Sequence, residues 1–184
     1  MLVLEEPGAL VSASIRQTAD TQGGVMADRR ARKPVTRTEI ASRLRMLLAG
    51  RAAEEVVFGD VSTGAGGDST SDLAQATMLA AAAMNAYGLE DGTDGLLWRG
   101  LPMPDTLPTT LALRPDISAR VTAMLTEAYA EAKDLILRHR QDLEGIARLL
   151  VERETVGGVE IEALVSRGER KDASVTPPQA SPGP

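Results

Sequence analysis

Residues 50–88, GRAAEEVVFGDVSTGAGGDSTSDLAQATMLAAAAMNAYG, decide how this chain folds. Just upstream, Thr36 and Glu39 have the spacing of a capping box, and Ile40, Leu44, Leu47 and Leu48 recur on one helical face. The pattern predicts a helix from about Arg37 to Phe58. Gly59 to Ser71 is a Gly/Ser/Thr/Asp segment without apolar periodicity, and it reads as a loop. Leu73, Ala76, Ala80, Ala83, Met84 and Tyr87 then return at helical spacing, and Gly88 supplies a C-terminal stop. Two helices joined by a glycine loop form the centre of the expected fold.

Before this stretch, Val11 to Arg16 and Gly23 to Ala27 flank a Thr/Gln/Gly turn, the pattern of a small β-hairpin. After it, Glu90 to Arg114 holds three prolines and several glycines, which reads as a surface excursion. From Pro115, Ile117, Val121, Met124, Leu125, Ala128, Ala132 and Leu135 mark a long amphipathic helix running towards Arg140. Leu143, Ile146, Ala147, Leu150 and Val151 form a second stripe, so these two helices are expected to pack as an antiparallel hairpin. Gly157-Gly158 is expected to turn the chain into a last short helix ending at Val165. Residues 1–165 thus form the domain, and the Pro-rich tail 166–184 is expected to be disordered. No internal repeat is evident.

The predicted class is mainly α, with a small N-terminal β-hairpin and a C-terminal helical hairpin. Composition agrees, because 43% of the residues are apolar but only 2% aromatic, which favours packed helices over a β-sandwich. Twenty Lys and Arg against 26 Asp and Glu leave a net charge of −6, which opposes binding to nucleic acid or acidic lipid. The one basic cluster, Arg29 to Lys33, is short and reads as a solvated loop. There is no cysteine, which excludes disulfides, thiolate metal sites and thiol nucleophiles and fits a reducing, cytoplasmic setting. The longest apolar run, Met78 to Met84, is far below the roughly 20 residues of a membrane span. No export signal is recognisable, and the chain alone reads as soluble.

A hydrolytic zinc requires three protein ligands and one open position for water. Peptidases commonly supply two of the ligands from a His-Glu-x-x-His helix. This chain has a single histidine, His139, near the end of a charged helix where the dipole favours a cation, and it is not expected to be a ligand. The serines and threonines lack a histidine partner for nucleophilic catalysis. The glycine-rich segments do not follow the Gly-Lys-Ser/Thr pattern of a nucleotide-binding loop.

GRAAEEVVFGDVSTGA, then DLAQAT and the helix ending in YG, resemble the peptidase domain of FtsH-type, AAA+-linked zinc metallopeptidases. LTEAYAEAKDLILRHRQDLEGIARLLVERETVGGVEIEAL resembles the closing helices of the same family, so the likeness covers roughly Val11 to Val165. It implies ATP-dependent proteolysis of protein substrates, a zinc cofactor, a homo-hexamer, and an AAA+ motor domain that uses ATP and is absent from this chain. It implies no nucleic-acid partner, and this chain carries no membrane segment, although full-length members are often membrane-anchored.

In that family an aspartate after the Ser/Thr-Thr-Gly-Ala loop is the third zinc ligand. Counting forward from Thr63-Gly64-Ala65 reaches Asp68, whereas counting back from Gly88 reaches Asp72, as if the loop carried a four-residue insertion. Asp72 is preferred because a helix register is stiffer than a glycine loop. The plainer alternative is that Asp72 merely caps its helix. Glu54 resembles the glutamate beside the metal that can orient a histidine ligand, with a solvated helix face as the alternative. Glu55 is expected to be solvated, and Arg51 to make no more than a surface ion pair.

The two zinc histidines and the general-base glutamate have no counterpart in these residues. The isolated chain is therefore expected to be inactive and to retain far less than one equivalent of zinc. The rival reading is a noncatalytic helical interaction module of the same fold. If a helix is missing, Leu44 and Leu48 on one side, and Ala80 and Met84 on another, are expected to lie exposed, with marginal stability or self-association as the result.

Overall fold

The capping box forms as its spacing predicts. Thr36 Oγ1 accepts from the Glu39 N–H, and Glu39 Oε2 accepts from the Thr36 N–H at 2.7 Å. In this computed structural model, which describes residues 1–16, 23–28, 35–89 and 96–173, the helix that follows spans Arg37–Phe58 and is named α2. Gly59, at φ 73°, closes it in the left-handed region. The glycine loop contains a single 3-10 turn, Thr63–Ala65, and leads into α3, Asp72–Asn85. Gly88, at φ 62°, lets the Leu89 N–H reach back to Ala83 O at the end of α3.

The full order begins with a short helix α1 (Leu2–Glu5) and two strands, β1 (Leu10–Ser14) and β2 (Gly24–Ala27). After α3 come α4 (Leu107–Leu113), α5 (Pro115–Arg138), α6 (Arg140–Arg153), β3 (Thr155–Gly157) and α7 (Gly158–Ala173). The mainly α class is as read. The chain divides into two compact units, residues 31–138 with Met1, and residues 2–30 with 139–184.

In the first unit α2 packs on α5 and α3, and α4 packs on α5. Ile40, Leu44, Leu48, Ala76, Ala80, Ala81, Ala83, Met84, Val121 and Ala128 form one buried cluster. The expectation that the faces of Leu44, Leu48, Ala80 and Met84 stay open is overturned, since none is more than 6% exposed. Alanines on α3 let the helices approach closely, and α5 supplies the cover. Large exposed apolar side chains occur elsewhere, at Phe58, Leu96, Trp98 and Leu113.

In the second unit β1 is the central strand, antiparallel to β2 on one side and to β3 on the other. The hairpin is as expected, its turn lying outside the described residues, as does the Arg29 to Lys33 cluster. The third strand was not expected, because Gly157-Gly158 reads as a turn. Gly158 instead starts α7 directly beneath β1. Leu10, Ala13, Val156 and Ile161 form the core here, and Ile146, Leu149 and Leu150 of α6 pack against it. Gly145 lets α6 approach α7, its missing Cβ only 3.3 Å from Leu164 Cδ1.

Three further expectations change. The excursion before Pro115 contains α4, with Leu107 buried, so it is not without structure. The stripe of α5 packs on α2 and α3, whereas on α6 only Ile146, Leu149 and Leu150 pack into the second core and Val151 stays 76% exposed; the C-terminal helical hairpin is α6 with α7. The last helix does not end at Val165 but runs to Ala173, and residues 174–184 lie outside those described. No described helix is long and apolar enough to cross a membrane.

Candidate functional site

Asp72 is the first residue of α3, but it does not cap the helix. That role belongs to Ser71, in extended conformation (φ −64°, ψ 156°), whose side chain accepts from the Ala74 N–H. Relieved of capping, Asp72 is exposed, and its carboxylate makes no hydrogen bond or ion pair among the described residues. A carboxylate in a first helical turn is also favoured by the helix dipole.

Asp68 is differently placed. Its Oδ1 accepts from the Thr70 N–H at 2.7 Å and from Thr70 Oγ1 at 2.6 Å, while its carbonyl accepts from Ser71 Oγ at 2.6 Å. The Thr70 hydroxyl, then the Thr70 amide, hold its carboxyl below the usual range. Asp68 is thus engaged in the turn that sets up the Ser71 cap. Of the two aspartates reached by counting along the motif, only Asp72 has its oxygens uncommitted.

Glu54, part-buried one turn before the end of α2, faces the same loop. Its Oε2 accepts from the Ser62 N–H and its Oε1 from Ser62 Oγ, both at 2.8 Å. The Ser62 amide foremost, then its hydroxyl, lower the Glu54 pKa. Ser62 opens the Ser-Thr-Gly-Ala stretch that carries the family resemblance, but sequence reasoning gave it no role of its own.

Glu55 corrects the expectation of a solvated face. It accepts from Lys133 Nζ at 2.6 Å and from the Tyr129 hydroxyl, so it joins α2 to α5. The Lys133 bond, then that of Tyr129, hold its carboxyl below the usual range. Burial first, and the facing Glu55 carboxylate second, push the Tyr129 hydroxyl up to about 12. Lys133 Nζ also stands 5.9 Å from the Tyr129 ring centroid. Tyr129 and Lys133, four apart on α5, were not singled out because their partner lies 74 and 78 residues away in sequence. Arg51 adds a minor lowering influence on Glu54 and Glu55, as a surface cation would.

His139 Nδ1 lies 3.0 Å from Asp142 Oδ2, so the single imidazole is engaged within its own segment. Among the described residues no group of three or more His, Cys, Asp or Glu is placed to hold a metal. One uncommitted carboxylate does not fit the donor set of a hydrolytic zinc, which needs three protein ligands.

The profile of peptidase family M41 matches residues 15–164. The chain belongs to that family. An ATP-dependent zinc metalloprotease FtsH 1 of Thermomicrobium roseum is 32% identical over 155 residues, 80% of this chain and 23% of the relative. FtsH 1 of Sorangium cellulosum is 34% identical over 164 residues, 85% of this chain and 26% of the relative. An FtsH of Thermotoga maritima is 32% identical over 140 residues, covering 72% and 22%. This M41 chain therefore spans about a quarter of the length of these curated relatives.

Proposed function

We propose that the chain is part of an ATP-dependent zinc metalloendopeptidase of the FtsH type, to which it contributes one metal ligand, Asp72, with Glu54 as a supporting residue. Membership of family M41 and the names of the relatives support the proteolytic reading. The observation that carries Asp72 is that it keeps its carboxylate free at the start of α3 while Asp68 does not. The remaining ligands and the general base must come from polypeptide other than these residues, so the chain alone does not cut peptides. Protein substrates, an AAA+ motor that consumes ATP and assembly as a hexamer belong to the same proposal.

Metal content tests it in two steps. The chain dialysed against zinc and washed is expected to retain well below one equivalent by elemental analysis; tightly held stoichiometric zinc overturns the incomplete-site reading. A fusion that places a His-Glu-x-x-His segment of an FtsH relative ahead of this chain is expected to hold about one zinc. In it Asp72→Asn weakens zinc by at least about 100-fold, more than loss of an outer partner costs, while Asp68→Asn leaves it unchanged. Equal zinc affinity in the parent fusion and Asp72→Asn overturns the assignment. The noncatalytic rival has one observation in its favour, the fully covered first core, and it predicts that no such fusion binds zinc.

A further inference from the structure

The loop before Asp72 contains Gly59, Gly64, Gly66 and Gly67, a composition that by itself leaves the chain free to sample many conformations. It is nonetheless tied down by a run of short bonds that begins on α2. Glu54 takes both the amide and the hydroxyl of Ser62. Ser62 Oγ in turn accepts from the Gly64 N–H at 3.0 Å, at the head of the 3-10 turn. The Gly66 N–H closes that turn on Thr63 O at 3.0 Å, and Ala65 is buried beneath it. A Cβ on Gly64 would stand 3.1 Å from Ser62 Oγ and 3.7 Å from Glu54 Oε1, so the turn sits close against the carboxylate. The Asp68 turn and the Ser71 cap carry the chain from there to Asp72.

We propose that Glu54 is a positioning residue for Asp72: by gripping Ser62 with both carboxylate oxygens it fixes the loop, and with it the place where α3 begins. The proposal rests on the reading of Asp72 as a metal ligand, but it differs from the role that the family resemblance implies, in which the glutamate acts on a histidine. Here the grip of Glu54 on Ser62 places the loop, and its charge strengthens the two bonds without being needed to form them. A glutamine can accept from the Ser62 amide with Oε1 and donate to the Ser62 hydroxyl with Nε2.

The chain has no native cysteine, so two spin labels can be introduced cleanly at Gly50→Cys on α2 and Asp72→Cys on α3. Gly50 has open space where its side chain would be. The distance distribution between the labels is expected to be narrow in the parent, at least twofold broader in Glu54→Ala and Ser62→Ala, and narrow again in Glu54→Gln. In proteins without labels, exchange of the Gly64 amide should quicken on the order of tenfold in Glu54→Ala and Ser62→Ala, with helical circular dichroism unchanged. In the zinc-binding fusion, Glu54→Gln should bind zinc like the parent while Glu54→Ala binds it less tightly. An unchanged distribution in Glu54→Ala overturns the proposal, as does a Glu54→Gln variant as broad as Glu54→Ala. Failure of the ligand assignment appears separately, as zinc affinity insensitive to Asp72→Asn with the label distances behaving as expected.

Discussion

A methyl group added to Gly158 would lie 1.8 Å from Leu10 O and 2.6 Å from Leu10 C, both backbone atoms that cannot swing aside. Gly158 is the junction between β3 and α7, so the clash falls where β3 must reach β1 to pair Ser12 with Gly157 and Ala13 with Val156. Gly158→Ala is expected to destabilise the second unit by about 1–3 kcal/mol or more, through backbone displacement. Hydrogen exchange should show the loss in the amides of β1 and β3, whereas Gly157→Ala, with nothing within 4 Å of its Cβ position, should have the smaller effect. The sequence marks both positions as glycine but does not say which one is pressed against another strand. The candidate site shows the same division. That α3 opens at Asp72 was legible because helix register counts backwards from Gly88, while the freedom of Asp72 from capping became visible only with Ser71 in place. The Glu54 grip on Ser62 was hidden because a loop residue eight positions away follows no helical or strand period.

At the scale of elements, α2 was readable to the residue, since a capping box, an apolar stripe and a glycine stop all agree on Arg37–Phe58. β3 was not, because three residues are too few to show alternation, and its pairing depends on a strand more than 140 positions earlier. α4 was obscured by the prolines around it, although Pro108 in its first turn is compatible with a helix. The faces of α2 and α3 were misjudged for another reason: an amphipathic stripe states that it must be covered, and not by what. α5 covers them. Leu44, 1% exposed within that contact, should lose about 2–5 kcal/mol of stability as Leu44→Ala. The exposed Leu113→Ala should remain within about 0.5 kcal/mol. Urea unfolding of the two variants measures the contrast, and equal midpoints would mean that the α2–α5 contact does not support the fold.

For the molecule as a whole, stability should form a plateau bounded by carboxylates on the acid side and by one phenol on the alkaline side. Glu54, Glu55, Asp68 and Asp116 all have folded pKa values below their unfolded ones, held down chiefly by Ser62, Lys133, Thr70 and Arg114 respectively. Their contribution is therefore complete above the unfolded values, 4.5 for the glutamates and 3.8 for the aspartates, and is lost as pH falls through the lower folded values. Tyr129 has the opposite sign. Its folded pKa of about 12 exceeds its unfolded 10.0, so its contribution is complete below pH 10 and disappears as pH rises towards 12. The two limbs can be probed at one contact, because Glu55 contributes to the acid limb and its partner Tyr129 carries the alkaline one. Tyr129→Phe should lower the denaturation midpoint at neutral pH and flatten the decline between pH 10 and 12, while leaving an acid limb carried by the carboxylates. Glu55→Gln should weaken the acid limb and bring the Tyr129 titration down towards its ordinary value, which ultraviolet titration in a Tyr87→Phe background would read from a single tyrosine. A Tyr129 midpoint that does not move when Glu55 loses its charge would mean that burial alone raises it, and that the bond between α2 and α5 contributes nothing to the alkaline limit.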